Sequence, residues 1–165
     1  IKLSTAVLLF FMVLSIPAPA ISSQVSGWLE NVVVNQSISF EAKIDTGADF
    51  SSINAVIQRR YHRNGKEWIQ FRIENKNGQV KVLEQPVVRY ARIKRKQALP
   101  VHRPVVLLDI CMGNVKRQVE VNLATRGNYK YKMLIGRNFL RGHFLVDSAS
   151  KFGLKADCSE SEPED

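Results

Sequence analysis

The sequence predicts an all-β fold, either a small closed barrel or a sandwich, with one or two short helices. Short apolar runs rich in β-branched and aromatic residues recur along the chain, and closely spaced turn signals separate them. The sequence contains no heptads, no internal repeat and no nucleotide-binding glycine loop. At 165 residues, the chain has the length of one compact domain rather than two large ones.

The first predicted strands span 28–34 and 37–44, where β-branched and aromatic residues dominate, and Asn35-Gln36 forms the turn between them. A short helix is predicted over 52–60. The segment 67–73 alternates polar with apolar residues, which indicates a strand with one buried face.

Two hairpins are predicted in the rest of the chain. Asn75-Lys76-Asn77-Gly78 forms the first turn, because Asn and Gly tolerate the positive φ of tight turns. The chain returns as a strand over 79–90, in which Pro86 indicates an edge position or a bulge. The second hairpin turns at Gly113-Asn114. The remaining predictions are strands over 104–112, 116–123, 131–135 and 143–147, and a helical turn or two over 137–141.

The two ends of the chain differ in composition from its middle. Lys2 is followed by a short apolar run and by Pro17-Ala18-Pro19-Ala20, the three-part pattern of a secretory signal. The run is shorter than the roughly 20 apolar residues that span a bilayer. We therefore expect residues 1–20 to direct export to the periplasm, or to tether the chain to the membrane if they are not cleaved. The domain is expected over 21–156, followed by an acidic, disordered tail over 157–165.

The charge of the chain is strongly asymmetric. The formal net charge is +9, although five of the 15 acidic residues are concentrated in the predicted tail. Basic clusters occur at Arg59-Arg60-Tyr61-His62-Arg63 and Arg92-Ile93-Lys94-Arg95-Lys96. They favour an anionic partner, such as an acidic peptide or an anionic envelope surface, but a solvated face explains them equally well. Nucleic acid is not expected as a partner, because aromatic residues do not alternate with the basic runs as stacking platforms.

The cysteine and histidine spacing predicts no metal site. Cys111 and Cys158 fit either one disulfide or two free thiols, and no CxxC is present. The histidines are His62, His102 and His143, with neither an HExxH motif nor a pair four residues apart. The sequence therefore gives poor support to a zinc peptidase, and it predicts neither a metal nor another cofactor.

A carboxylate at the end of an apolar strand is the best candidate for chemistry. Asp45-Thr46-Gly47-Ala48 follows Ala42-Lys43-Ile44, so we expect the carboxylate at a rigid glycine turn. Peptide hydrolysis by carboxylates needs two of them sharing one proton, one to deprotonate water and one to polarise the scissile carbonyl. The chain has no second Asp-Thr/Ser-Gly, since Asp147-Ser148-Ala149 lacks the glycine. A homodimer with its two-fold axis through the site is therefore expected.

Two signatures resemble those of retroviral proteases. Asp45-Thr46-Gly47-Ala48-Asp49 is similar to their active-site loop, and Met133-Leu134-Ile135-Gly136-Arg137-Asn138-Phe139-Leu140 is similar to their second signature. A closer resemblance is to the bacterial retropepsin-like aspartic peptidases long labelled "ATP-dependent zinc proteases", often encoded beside ATP-grasp ligases. This resemblance implies a closed β-barrel of the retropepsin type and an aspartic endopeptidase. Further similar segments are Gly27-Trp28-Leu29-Glu30, Ser51-Ser52-Ile53, Arg103-Pro104-Val105-Val106 and Val146-Asp147.

The resemblance also implies roles for individual residues. Asp45 matches the catalytic carboxylate, and Thr46 matches the residue whose hydroxyl bonds across the dimer. Gly47 matches the position that the substrate backbone approaches closely. The implied supporting residues are Ala48 in the loop, Gly136 behind it, and Asp49 and Arg137, which pair near the dimer interface or form an ordinary surface ion pair.

Two segments are candidates for a flap over the cleft. The hairpin at 75–78 fits by its order in the chain, and the basic segment 92–103 is the alternative. If the basic segment overhangs the cleft, its positive charges favour acidic substrates; the candidate substrate-binding residues are Arg92, Lys94, Arg95 and Arg103. A fold does not establish an activity, so a module that binds a peptide or an anionic envelope component without cleaving it remains the alternative function.

Overall fold

The structure is a computed structural model that describes residues 23–95, 98–125, 129–155 and 157–158. The predicted secretory signal over 1–20 lies outside the described residues, as does the predicted tail beyond Cys158. None of the helices within the described ranges is both long enough and apolar enough to cross a membrane.

The described residues form eleven strands and one short helix, in agreement with the predicted all-β class. The elements in chain order are β1 (Gln24–Gly27), β2 (Leu29–Val34), β3 (Ile38–Ile44), β4 (Ser51–Arg63), β5 (Lys66–Glu74), β6 (Val80–Pro86), β7 (Arg89–Arg95), β8 (Ala98–Met112), β9 (Val115–Ala124), β10 (Met133–Ile135), α1 (Arg137–Leu140) and β11 (Phe144–Asp147).

Six strands close into a barrel, which confirms the predicted architecture. Their order is β10-β3-β2-β8-β9-β4, and β4 pairs back to β10. The short strand β10 runs parallel to β3 and antiparallel to β4, so it completes the ring between them. The inward side chains form one apolar core, because burial alternates along the strands. The core includes Val32, Phe40, Ile53, Ile110, Val121 and Met133, each at most 2% exposed.

Two extensions project from the barrel. β5 pairs with β4, and β6 pairs with β5, so these strands continue the sheet outward to an edge at β6. β7 pairs with β8 and forms a separate hairpin with its first half. Pro86 is the last residue of the edge strand β6, as its predicted edge position requires.

The two ends of the described chain are joined to each other and to the barrel. β1 and β11 form a two-stranded parallel sheet. Glu30 is fully buried, and its carboxylate accepts hydrogen bonds from the backbone N–H groups of Gly27, Gly153 and Leu154. A disulfide joins Cys111 to Cys158. The structure thus selects the disulfide from the two states that the sequence left open.

The predicted helix over 52–60 is wrong, because this segment lies within strand β4. Ile53, Val56 and Ile57 have the spacing of a helical face, but Val56 is 54% exposed. From Ile53 onward burial instead alternates, with Ile53 and Ala55 buried and Asn54 and Val56 more exposed, because β4 pairs with β9, β10 and β5. Tertiary pairing has overridden the local pattern.

The strand predicted over 79–90 is also only partly correct. It is divided into β6 and β7, with a break at Val87-Val88. The backbone N–H of Val87 donates to Glu67 in β5, whereas that of Val88 donates to Val105 in β8. The chain therefore changes partners at this point. The short helix predicted over 137–141 is confirmed as α1.

Candidate active site

Asp45 follows the last residue of β3 and begins a tight turn. Its backbone N–H donates to the carbonyl of Ile135 at 2.9 Å, which extends the parallel pairing of β3 with β10 by one bond. Its Oδ1 accepts the N–H of Gly47 at 3.1 Å, and its carbonyl accepts the N–H of Ala48 at 3.2 Å. The carboxylate is half-buried, whereas Thr46 and Gly47 are exposed. The turn therefore holds a carboxylate rigidly at the surface.

Gly136 supports this turn from behind, where a side chain would not fit. A Cβ at this position would lie 2.5 Å from the main-chain carbon of Phe50 and 2.9 Å from the nitrogen of Ser51. Such distances are shorter than van der Waals contact. The chain can therefore pass this closely behind the Asp45 turn only with glycine at this position.

Arg137 connects the second signature to the Asp45 turn. Its Nη1 donates to the carbonyl oxygen of Thr46 at 2.8 Å, and its Nη2 forms an ion pair with Asp49. The backbone makes two further links, from the N–H of Arg137 to Ala48 and from that of Asn138 to Asp49. Four bonds thus fix the turn to the start of α1.

A polar network that the sequence interpretation missed lies under the same loop. Asn138 Oδ1 accepts hydrogen bonds from the N–H and the hydroxyl of Ser51 at 2.9 and 3.0 Å, and its Nδ2 donates to the carbonyl of Glu120. The Ser51 hydroxyl in turn accepts the N–H of Gly136. Asn122 donates to the carbonyl of Ser51. Asn138 directly follows the Gly136-Arg137 pair, so its place in the signature was the available signal.

A cleft of about 430 Å³ lies between the Asp45 loop and the β7–β8 hairpin. Ala48, Asp49 and Phe50 line it from the loop, and Arg92, Ile93 and Arg103 line it from the hairpin. Two of the four predicted substrate-binding residues, Arg92 and Arg103, are thus in the cleft. The other two, Lys94 and Arg95, lie further along β7, and their side chains are outside the described part of the structure.

Arg89 is a cleft residue that the sequence interpretation did not select. Its guanidinium lies 4.4 Å from the centre of the Phe50 ring and donates two hydrogen bonds to Glu120. Arg89 begins β7, and Phe50 immediately precedes β4. This contact therefore connects the base of the hairpin to the Asp45 loop.

Asp45 itself lines a neighbouring cleft of about 300 Å³. Lys43, Tyr129, Lys130 and Tyr131 contribute to its wall. Leu134 borders both clefts, so Arg92 and Arg103 of the first cleft and Lys43 and Lys130 of the second line adjoining spaces. Such surroundings favour an acidic ligand.

The two flap candidates are attached to different strands of the barrel. Asn75 donates from its side chain to the carbonyl of Ser39, and Lys76 pairs with Glu41, so the 75–78 turn is attached to the early part of β3. Ser39 precedes Asp45 by six residues, about 20 Å along a strand. The β7–β8 hairpin lies beside the Asp45 loop and lines the cleft of about 430 Å³ with it.

Comparison with known proteins identifies the family. The model of the RimB-like family, described as "Retropepsin-like aspartic endopeptidase RimB", matches residues 25–156. The chain belongs to the RimB-like family. A solved structure of a Legionella pneumophila protein of unknown function is similar to this chain, with a TM-score of 0.70 and 31% sequence identity. The match includes 81% of this chain and 100% of the Legionella chain.

Two relatives of this RimB-like chain are named "Probable alpha-L-glutamate ligase". The protein from Shewanella pealeana is 32% identical over 119 residues, which are 70% of this chain and 26% of the relative. The protein from Desulfotalea psychrophila is 27% identical over 128 residues, 74% of this chain and 27% of the relative. The chain thus spans about a quarter of the length of these relatives.

The described residues contain no group of three or more His, Cys, Asp or Glu side chains arranged to hold a metal ion. His62 and His102 are exposed, and His143 is half-buried in the turn after α1.

Proposed function

We propose that this chain is an aspartic endopeptidase that acts as a homodimer. The observation that carries the proposal is the Asp45 turn, which presents a half-buried carboxylate beside a cleft and is fixed by Gly136 and Arg137. Membership of the retropepsin-like family supports the same chemistry. Each chain supplies one Asp-Thr-Gly turn, so the second carboxylate comes from the partner chain.

In the proposed mechanism, the two Asp45 carboxylates share one proton and hold a water molecule between them. The ionised carboxylate removes a proton from this water as it attacks the scissile carbonyl carbon, and the protonated one donates to the carbonyl oxygen. Two close like charges cannot both ionise at low cost, so the pair keeps one proton over a range of pH. Cleavage is therefore expected to have a bell-shaped pH dependence.

An acidic peptide is the substrate class that the surroundings of Asp45 favour. Arg92 and Arg103 lie in one adjoining cleft, and Lys43 and Lys130 lie in the other. The relatives named "Probable alpha-L-glutamate ligase" support the same substrate class, because their name refers to glutamate. We propose that this chain cleaves peptide bonds close to glutamate side chains.

Cleavage of matched peptides tests the proposal. The substrates are an unstructured glutamate-rich peptide and the same peptide with glutamine at each glutamate. Asp45→Asn is expected to lower the rate by about 10²–10⁴-fold or more, because it removes the acid–base group. Asp109→Asn is the matched control, because Asp109 lies on β8, its carboxylate accepts a hydrogen bond from Gln118, and it lines neither of the clefts beside the Asp45 loop. Equal rates for wild type and Asp45→Asn would rule out the aspartic mechanism.

Mixing the two chains tests the dimer separately from the chemistry. When excess Asp45→Asn protein is added to a fixed amount of wild type, mixed dimers form with a single Asp45 carboxylate. The total rate is then expected to fall as the excess increases. A rate that stays constant would show that one chain suffices. Tight peptide binding without cleavage by wild type would instead support the alternative, a retropepsin-fold module that binds peptides and is catalytically silent.

A further inference from the structure

The outer face of the β4–β5–β6 sheet carries a surface that the proposed peptidase site does not use. Ile69, Phe71 and Ile73 of β5 are fully buried on the inner face. The alternating residues Trp68 and Arg72 therefore point outward. In the register of the sheet, Tyr61 of β4 lies opposite Trp68, and Val82 of β6 lies opposite Arg72. We call this surface the outer face.

Two aromatic rings and two guanidinium groups form a compact cluster on the outer face. The Tyr61 and Trp68 rings are stacked, with centres 6.5 Å apart and planes 21° apart. The Arg59 guanidinium lies 5.3 Å from the centre of the Tyr61 ring, and the Arg63 guanidinium lies 5.3 Å from that of Trp68. Cation–π contacts of this kind hold the arginines beside the rings while their N–H donors still face solvent.

Exposed valines adjoin this cluster on the same face. Val56 and Val82 lie on either side of Arg72 in the register of the sheet, and they are 54% and 46% exposed. Val80, on the same edge strand as Val82, is 43% exposed.

Two carboxylates share the outer face. Glu84 bonds the Tyr61 hydroxyl, and Glu74 pairs with Arg72. Within the described part of the chain, this leaves Arg59 and Arg63 as the unneutralised guanidinium groups of the face. The outer face thus combines these guanidinium groups with amphipathic rings and exposed apolar side chains.

We propose that the outer face docks on the surface of an anionic phospholipid bilayer. Guanidinium groups bind phosphates in a bidentate manner, and basic residues are attracted to anionic leaflets. Tyrosine and tryptophan favour the headgroup level, where their ring is apolar and their polar atom stays hydrated. The exposed valines fit the boundary of a bilayer and have no counterpart in a phosphate backbone. Each ring is also already covered on one side by a guanidinium, which disfavours base stacking on a nucleic acid.

The position of the cluster leaves the Asp45 cleft open. β4 begins at Ser51, beside the Asp45 loop, and Tyr61 lies ten residues further, about 30 Å along the strand. A bilayer bound at this end of the β4–β5 hairpin would therefore hold the peptidase site away from the lipid. The proposal does not depend on catalysis, since the cluster shares no residue with the Asp45 loop or the adjoining clefts.

Vesicle co-sedimentation of the full chain tests the proposal. The probes are vesicles of phosphatidylcholine alone and of phosphatidylcholine mixed with phosphatidylglycerol. The variant is Arg59→Gln/Arg63→Gln, and the control is Lys116→Gln/Lys151→Gln, which removes the same charge from two exposed lysines elsewhere. Residues 1–20 are present in every protein, so a difference between variants reports the outer face.

We expect wild type to bind the anionic vesicles more tightly than the neutral ones and to lose this preference at high salt. The arginine variant should bind the anionic vesicles roughly 30-fold more weakly, and the lysine control much less so. Trp68→Thr should also weaken binding. Equal losses in the two charge variants would overturn the proposal in favour of non-specific attraction.

Two other occupants give different results in the same set of proteins. A single-stranded oligonucleotide that binds more tightly than the anionic vesicles, with the same dependence on Arg59 and Arg63, would overturn the proposal in favour of a nucleic acid. A loss of self-association in the arginine variant without any loss of vesicle binding would overturn it in favour of a second copy of the chain. Unchanged peptide cleavage in the arginine variant, together with its loss of vesicle binding, would support the separation of the two sites.

Discussion

Arg137 Nη1 donates to the carbonyl oxygen of Thr46 at 2.8 Å, although the two residues are 91 positions apart in the chain. The same guanidinium pairs with Asp49, so one side chain engages both halves of the Asp45 turn. This contact explains why the two signatures occur together: the second one carries the donor that fixes the first. It also makes the geometry of the turn sensitive to a group outside the turn.

Replacing Arg137 by lysine is expected to impair catalysis more than stability. A lysine keeps the charge but cannot donate to Thr46 and Asp49 in the fork geometry of a guanidinium. We expect the free energy of unfolding to fall by roughly 1 kcal/mol. The kcat/KM for the glutamate-rich peptide should fall by a larger factor than the folding equilibrium constant does. Arg141→Lys, in the exposed turn after α1, is the matched control. Equal activity of the two variants would contradict a positioning role for Arg137.

Replacing Gly136 by alanine is expected to destabilise the protein. The new Cβ would lie 2.5 Å from the main-chain carbon of Phe50, so the backbone of the Asp45 loop would have to move. Overpacking of this kind costs about 1–3 kcal/mol. Gly153→Ala is the control, because its Cβ would be 3.7 Å from the nearest atom, Glu30 Oε1, an ordinary contact. Urea unfolding measures both variants, and similar midpoints would show that the loop adapts to the methyl group.

The sequence predicted the parts of this fold that depend on local patterns. Turn residues located the β2–β3, β5–β6 and β8–β9 hairpins correctly, whereas the β4–β5 and β7–β8 hairpins were not predicted. The Asp45 motif predicted a glycine turn at the end of a strand. The helix over 52–60 was wrong because the state of this segment depends on tertiary pairing, with β9 and β10, which are distant in sequence, and with the adjacent strand β5. The support from Ser51 to Asn138 was missed for the same reason, since the two residues are 87 positions apart.

The disulfide between Cys111 and Cys158 is expected to stabilise the C-terminal segment against unfolding. It links residues 47 positions apart, and closing a loop of that size contributes about 2–4 kcal/mol. A reducing agent should therefore lower the urea midpoint of the wild type to that of Cys158→Ser. The same agent should leave the midpoint of the variant unchanged. A wild type that is insensitive to reduction would contradict the prediction.

Another prediction of stability concerns Glu67, which joins three strands. Its carboxylate accepts hydrogen bonds from the Tyr90 hydroxyl at 2.9 Å and from Arg60 at 3.0 Å, so it connects β5 to β7 and β4. The Tyr90 bond is the largest cause that lowers the pKa of Glu67 below its ordinary value of 4.5; burial opposes it, and the hydrogen bond and charge of Arg60 add to the lowering. The cluster therefore fastens the base of the β7–β8 hairpin to the barrel extension.

The pH dependence of unfolding tests this cluster. Because the folded state has the lower pKa, the ionised carboxylate adds stability above pH 4.5, and this contribution disappears as the pH falls through the folded-state pKa. Glu67→Gln is therefore expected to be less stable than wild type at pH 6, by at most about 1 kcal/mol because solvent screens the exposed cluster. The difference should shrink towards pH 3. Glu84→Gln, which removes the same charge from the neighbouring strand β6, corrects for the change in net charge. A difference between wild type and Glu67→Gln that stays constant from pH 6 to pH 3 would mean that the hydrogen bonds of Glu67 do not favour its ionised form.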